Sequence, residues 1–333
     1  METVLVKVDY NREHEMDPFF RMHTLANQLT TQVNNLKVIF LCKDTAIKGI
    51  NYLADRGFTI EIYNTEIELI NLIKTFVPCN IIVDSRMKAT VFEQACQHIC
   101  KHVIYIIEGA SRSYKADIVF NTAYGGEYSD YMVSRDCRVY SGSDYSLIRP
   151  EFLEKPLREL DDCVRTILVH LGELKSNNVT RDLLRPLQTL PYKFNVVLED
   201  NIKGRSQIIS HYESENINFF NSDDIINLVD NCDLVVTGCI NLVHEAGALG
   251  LPIIVVALSK EPIRECQYMM RDRLVEGVGI VGVVAVKEII RAIKSLANDY
   301  TKRFDMHTRI LAVFNSHCNE NVANKILELL NLW

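Results

Sequence analysis

No apolar run in this chain of 333 residues reaches the roughly 18 that a membrane-spanning helix needs. The first residues show no signal-peptide pattern either. A basic surplus is also missing: 36 Lys and Arg against 43 Asp and Glu leave a net charge of −7. That argues against nucleic-acid binding through a basic face. The ten cysteines are irregularly spaced, which reads as reduced thiols of a cytoplasmic protein and not as a disulfide framework. The last shortage is local. The stretch NREHEMDPFFRMHTLANQL (11–29) follows the first predicted strand and contains no glycine, where many nucleotide-binding α/β proteins have several.

What the chain does have is length and apolar content for two domains with substantial cores. Apolar, β-branched runs alternate with helical patterns almost throughout. TVLVKV (3–8), KVIFLC (37–42), TIEIYN (59–64), NIIVD (80–84), HVIYIIE (102–108) and DIVFN (117–121) read as strands with helices between them. A second series follows, with strands at RTILVHL (165–171), FNVVLE (194–199), INFF (217–220), DLVVTG (233–238), PIIVVAL (252–258) and GIVGVV (279–284). Helices are expected at 286–299 and about 319–331. Such alternation predicts parallel βαβ units buried on both faces. The stretch 121–162 differs, being rich in Tyr, Ser, Gly and Asp.

The expected class is therefore α/β, with two Rossmann-like, doubly wound domains facing across a cleft. The boundaries read as 1–148 for the first domain, 149–163 for a linker, 164–312 for the second domain and 313–333 for a terminal helix. Ligands of such sheets sit beyond the carboxyl ends of the strands, so the cleft is the expected site.

The tightest cysteine group is CQHICKH, with Cys96, His98, Cys100 and His102. Alternate positions share a face only on a strand. The preceding TVFEQACQHI has helical spacing, which turns the cysteines inward and the histidines elsewhere. Buried thiols are the better reading than a zinc site, and no metal is expected.

The most informative stretch is DLVVTGCINLVHEAGALGLPIIVVAL (233–258). A buried strand runs into Thr237, Gly238, Cys239, Ile240 and Asn241, where a helix begins. A small-residue turn at a helix start offers free N–H groups and the positive helix end, both suited to a diphosphate. Glu245, one turn further, can accept both hydroxyls of a ribose. The same spacing also fits an ordinary strand–loop–helix with an exposed Glu. His244 points about 100° away on the helix and reads as structural.

The segment TGCINLVHEAGALGLPIIVV resembles the nucleotide-sugar signature of GT-B proteins of the MurG type. The chain is more similar still to one branch, the UDP-sugar hydrolases of the pseudaminic acid pathway and their spore-coat polysaccharide relatives (PseG/SpsG type). YSDYMVSRDCRVYSGSDYSLIRPEFLE resembles that branch's interdomain segment, NIIVDSR its strand ending in Asp, and FFRMHTLANQL its first helix. The resemblance runs from about residue 4 to 275. It implies a nucleotide-activated sugar, UDP-linked, as ligand, bound for surface-glycan or nonulosonic acid biosynthesis, with no cofactor. The second domain would take the nucleotide and the first the sugar or acceptor. Phe220 would wall the base, with Phe219 beside it, and Gly172 and Gln267 would reach the sugar. Arg149 and Tyr145 read as packing residues of the linker region.

Three motifs depart from the family pattern. Its Gly-x-Gly-His before the first helix, whose histidine is the expected catalytic group, becomes Glu15, Asp17 and Pro18. Its Asp-His-Tyr becomes Asp84, Ser85 and Arg86, and its Gly-Gly becomes Gly172 and Glu173. The glycine-free loop thus has a physical reading: Asp17 is expected as helix N-cap with Pro18 as first helical residue, and Glu13 and Glu15 add negative charge. Such a loop repels phosphate. Candidates for a replacement base are Asp17, His14 and Asp84, with His23 a further one; the histidines and Asp17 read as surface residues before they read as bases. An enzyme acting by hydrolysis or transfer and a non-catalytic nucleotide-sugar-binding subunit are both compatible with the sequence.

Overall fold

The computed structural model describes residues 2–332 except 10–15, 86–89, 111, 158, 173–176, 200, 201, 203, 257–262, 279–285 and 316. The chain divides into two compact units, residues 1–149 with 316–333 and residues 150–315.

In the first unit the strands are β1 (Glu2–Val8), β2 (Leu36–Lys43), β3 (Thr59–Tyr63), β4 (Asn80–Asp84), β5 (Val103–Ile107), β6 (Ser113–Tyr114), β7 (Ile118–Asn121), β8 (Met132–Val133) and β9 (Arg138–Ser141). Seven of them form one sheet in the order β3-β2-β1-β4-β5-β7-β9, and β6 and β8 pair apart. All pairings in the large sheet are parallel. The helices between are α1 (Asp17–Gln32), α2 (Ile47–Ala54), α3 (Glu66–Lys74) and α4 (Thr90–Ile99). Side chains alternate across a strand, so Val4, Val6, Val8, Val38 and Phe40 face α1, while Leu5, Ile39, Leu41, Ile81 and Val83 face α3 and α4. With both faces covered, nearly every strand position is apolar, as the sequence pattern predicts.

The start of α1 corrects one expectation. Met16, not Asp17, occupies the N-cap, without a side-chain capping bond. Asp17 and Pro18 lie inside the first turn, where the carboxylate still meets the positive helix end and acts electrostatically on Arg21, one turn on. His23 is also not a surface residue. It is buried, with Nδ1 2.9 Å from the Tyr52 hydroxyl and Nε2 2.9 Å from the Asn27 amide.

The Tyr- and Ser-rich stretch is less irregular than its composition suggests. Its β9 extends the first sheet, Tyr145 packs against Phe120 and Tyr140, and the Arg149 guanidinium lies 4.4 Å from the centre of the Phe20 ring.

The second unit opens with α5 (Pro150–Leu153) and carries β10 (Thr166–His170), α6 (Asn177–Leu187), β11 (Lys193–Val197), α7 (Arg205–Tyr212), β12 (Ile217–Phe220), α8 (Ile225–Leu228) and β13 (Leu234–Thr237). It continues with α9 (Ile240–Ala248), β14 (Ile253–Val256), α10 (Ile263–Arg271), β15 (Glu276–Val278), α11 (Val286–Ala297) and α12 (Tyr300–Val313). Its parallel sheet runs β12-β11-β10-β13-β14-β15. The expected strand GIVGVV lies outside the described residues. The strand that pairs with β14 is Glu276–Val278, just before that stretch.

α12 has no counterpart in the sequence reading. Its anchor is Arg303, only 1% exposed, whose Nη1 donates to the Leu296 and Ala297 carbonyls at the end of α11 and whose Nη2 donates to those of Asp161 and Asp162. The last helix, α13 (His317–Leu330), belongs to the first unit, where it packs on α1 through Val322, Ala323, Ile326 and Leu327. Asn319 fixes it, accepting from the Ile148 N–H and donating to the Ile148 carbonyl.

Candidate functional site

Each sheet winds outward in both directions from its first strand, so its order reverses between β1 and β4 and between β10 and β13. Connections leave such a switch point in opposite directions and open a crevice beyond the carboxyl ends of the strands. Both units place polar side chains there.

In the second unit, β13 ends at Thr237 and the chain turns through Gly238 and Cys239 into α9. Gly238 N–H donates to the His170 carbonyl, and Cys239 N–H donates to Thr237 Oγ1 at 3.0 Å. Cys239 is the N-cap of α9, and its own side chain makes no capping bond to the first-turn amides. Gly238, Cys239, Ile240 and Asn241 are partly exposed, whereas α9 is buried from Leu242 onward. Glu245 is thus buried, at 5% exposure, and not the exposed residue of the ordinary strand–loop–helix reading. His244 is structural: Nε2 lies 2.8 Å from Glu265 Oε1, and the ring stacks on Phe314.

A buried histidine that the sequence reading did not single out adjoins this loop. His170 ends β10 opposite Thr237, with Nε2 2.9 Å from Glu199 Oε1. Ser222 Oγ donates to the other Glu199 oxygen at 2.5 Å. Burial pulls the imidazole pKa down, but the neighbouring Cys239 thiol and Glu199 outweigh it and raise the value to about 10. Gly172 follows at φ +75°, and a Cβ there would sit 3.1 Å from Cys239 Sγ. A side chain at 172 is therefore both strained and crowded. The signal in the sequence was a histidine at a strand end just before a glycine, as in VHLG.

Of the remaining expected residues, Phe220 ends β12 half-buried, and Phe219 packs on the core of this unit. Gln267 is exposed on α10, on the face away from the buried Glu265 and Cys266. Glu173 lies outside the described residues.

In the first unit, Asp84 at the end of β4 is not an unengaged base. Arg21 Nε donates to its Oδ2 at 3.1 Å and Arg21 Nη1 to Glu108 Oε1 at 2.5 Å. Burial alone would lower the Arg21 pKa, yet Asp84 and Glu108 hold it well above the ordinary range. Beside this triad Lys7 pairs with Asp9, which also accepts from the hydroxyls of Ser85 and Tyr63. Burial opposes the Asp9 charge, but Lys7 and the two hydroxyls win and hold its pKa below the usual carboxylate range. His14, Glu13, Glu15 and Arg86 lie outside the described residues.

Cys96 and Cys100 are buried, and His98 is exposed. Among the described residues no group of three His, Cys, Asp or Glu is placed to hold a metal ion, and no helix is long and apolar enough to cross a membrane.

The sheet orders and the similar solved structures show the GT-B fold, with two Rossmann-like domains. Similar solved structures include MurG of Acinetobacter baumannii, with a TM-score of 0.69 and 13% identity over 98% of this chain and 100% of that one. Staphylococcus aureus MnaA, solved with UDP, superposes with a TM-score of 0.67 and 14% identity over 100% of this chain and 98% of the other. The UDP-GlcNAc 2-epimerase of Neisseria meningitidis, bound to UDP-GlcNAc, gives 0.63 and 15% over 99% and 100%. In sequence, an uncharacterized protein of Methanocaldococcus jannaschii is 26% identical over 280 residues, which is 79% of this chain. The chain spans 57% of that relative's length. No protein-family profile matches the chain.

Proposed function

We propose that the chain binds a nucleotide-activated sugar, UDP-linked, and acts on it by hydrolysis or transfer in surface-glycan or nonulosonic acid biosynthesis. The observation that carries this reading is the side-chain-uncapped start of α9, reached through Thr237, Gly238 and Cys239 at the switch point of the second sheet. The diphosphate would lie on the backbone from Thr237 to Asn241, the ribose on Glu245, the base along Phe220 and the sugar toward Gly172 and Gln267. The resemblance to the PseG/SpsG branch, and the UDP and UDP-GlcNAc bound by similarly folded proteins, support the choice of ligand. The ten free cysteines fit a reducing compartment, the cytoplasm.

One observation favours a second reading, a non-catalytic binding subunit. The strand-end acid Asp84 is tied to Arg21, and the family's loop histidine is replaced by Pro18. Purified protein incubated with UDP-linked diacetamido sugars separates the two. Release of UDP above background supports the enzyme; binding without release supports the subunit.

Nucleotide recognition has its own test. Glu245→Gln keeps the size of the side chain and removes its charge. Losing a charged acceptor for two hydroxyls costs about 1.5–3 kcal/mol, so calorimetry should show UDP affinity down at least about tenfold. Unchanged affinity would remove Glu245 from the site, and no binding of UDP by the unaltered protein would remove the reading itself.

A further inference from the structure

A diphosphate on the backbone from Thr237 to Asn241 leaves the buried polar chain beside it without a task. Ser222 Oγ donates to Glu199, and Glu199 Oε1 lies 2.9 Å from His170 Nε2. A carboxylate only accepts, so Nε2 carries the proton that the two share. The other ring nitrogen differs. His170 Nδ1 is buried with no hydrogen-bond partner among the described residues, and the side chain is 9% exposed. Buried polar atoms are rarely left so, and one at the carboxyl end of a strand calls for a partner.

The register of the sheet shows where that nitrogen is aimed. His170 on β10 pairs with Thr237 on the parallel neighbour β13, so their side chains project from the same face. Thr237 Oγ1 accepts from the Cys239 N–H at 3.0 Å, which makes that face the one on which α9 begins. The strand β10 lies between β11, which leads to Glu199, and β13, which leads to α9. The two ring nitrogens point away from each other. With Nε2 on Glu199, Nδ1 is turned toward the start of α9. Gly172, two residues on, has φ +75°, and among the described residues only Cys239 Sγ comes within 4 Å of where its Cβ would be. The backbone leaves room there for a ligand.

We propose that His170 is a ligand-binding residue, an imidazolium whose Nδ1–H donates to an oxygen of the diphosphate seated at the start of α9. This rests on the nucleotide reading of that turn. Nε2 stays on Glu199, and Ser222 fixes the carboxylate. In a neutral ring protonated at Nε2, Nδ1 would present a lone pair to the phosphate and repel it, so binding selects the doubly protonated form. Burial opposes that charge, while the Cys239 thiol and Glu199 favour it. The α9 amides and the imidazolium then hold one anion from two sides. Nδ1 is shielded from solvent, so the contact requires the partly exposed Cys239 side chain to turn aside.

Calorimetry on the full chain with UDP and with inorganic pyrophosphate tests this. His170→Gln retains a group for Glu199 and loses the Nδ1 donor. Losing one charged hydrogen bond should weaken binding of both ligands about tenfold to 100-fold, with the thermal midpoint and circular dichroism confirming the fold. A folded variant that binds both as tightly as the unaltered protein overturns the proposal. Heteronuclear NMR of the unaltered protein with isotope-labelled histidine gives a readout that needs no variant. One of the nine imidazoles should respond to either ligand, more at Nδ1 than at Nε2, with a bonded Nδ1 proton coming into view. Bound ligand with no imidazole responding also overturns the proposal. The outcomes separate this proposal from the reading beneath it. Pyrophosphate that binds and moves the imidazole while UDP does not bind supports His170 as a phosphate ligand and removes the UDP reading. UDP that binds with neither readout responding keeps that reading and removes His170. Binding of neither ligand overturns both.

Discussion

Arg303→Met is expected to lower stability by about 3–5 kcal/mol, because it removes a buried charge and takes a donor from four carbonyls, two of them buried. The guanidinium serves four acceptors at once: two are the last carbonyls of α11, where a cation also meets the negative helix end, and two belong to the chain leading into β10. A buried carbonyl left without a donor costs about 1–3 kcal/mol, and the sum stays well below four times that because Leu296 keeps a long bond from the Asp299 N–H and Asp161 and Asp162 are exposed. Arg303→Lys should recover part of the loss, since an ammonium on one stem cannot span both pairs as the planar fork does. Urea midpoints of the three proteins measure this. A loss under about 1 kcal/mol for the methionine variant would mean that water reaches the carbonyls once the side chain is gone.

A second large effect is expected at the edge of the first sheet. Arg21→Met removes the guanidinium that bridges Asp84 and Glu108, and breaking a buried ion pair from one side costs about 3–5 kcal/mol. The loss should depend on pH with a definite sign. Buried and without that guanidinium, the two carboxyls acquire folded-state pKa values above those of the unfolded chain. The folded variant then binds more protons than its unfolded form, so its deficit shrinks as pH falls from about 7 toward 5. Denaturant midpoints at those two values for both proteins provide the check. A deficit that widens on acidification would contradict the pairing.

Much of the fold was legible because parallel strands covered on both faces leave continuous apolar runs. VLVKV, VIFLC and IIVD each became a strand at the place the pattern indicated. The loop from Thr237 to Asn241 was legible for a related reason, since small residues between a buried strand and a helix form a recognisable local unit. What stayed hidden depends on residues distant in sequence. Arg21 and Asp84 are 63 positions apart, and His170 and Glu199 are 29 apart, and neither pair has a local pattern. The start of α1 was misplaced by one residue because Asp before Pro fits both the N-cap and the first turn. α12 was missed because its buried face rests on Arg303 and Met306 as well as Ile310, and an arginine reads as solvent-facing.

The return of α13 to the first unit has a consequence for biosynthesis. A chain emerging from the ribosome normally completes its domains in the order of synthesis, N-terminal first. Here the segment 150–315 is contiguous, while residues 1–149 must wait for 317–330 to cover the apolar face of α1 and to supply Asn319 for Ile148. The later unit is thus the first that can finish. Protease digestion of ribosome-bound chains halted past residue 315 but before α13 has emerged should find the second unit resistant and the first still cleaved. Until that last helix appears, the oldest part of the nascent chain keeps a hydrophobic groove open, and it is this groove that a chaperone would have to shield.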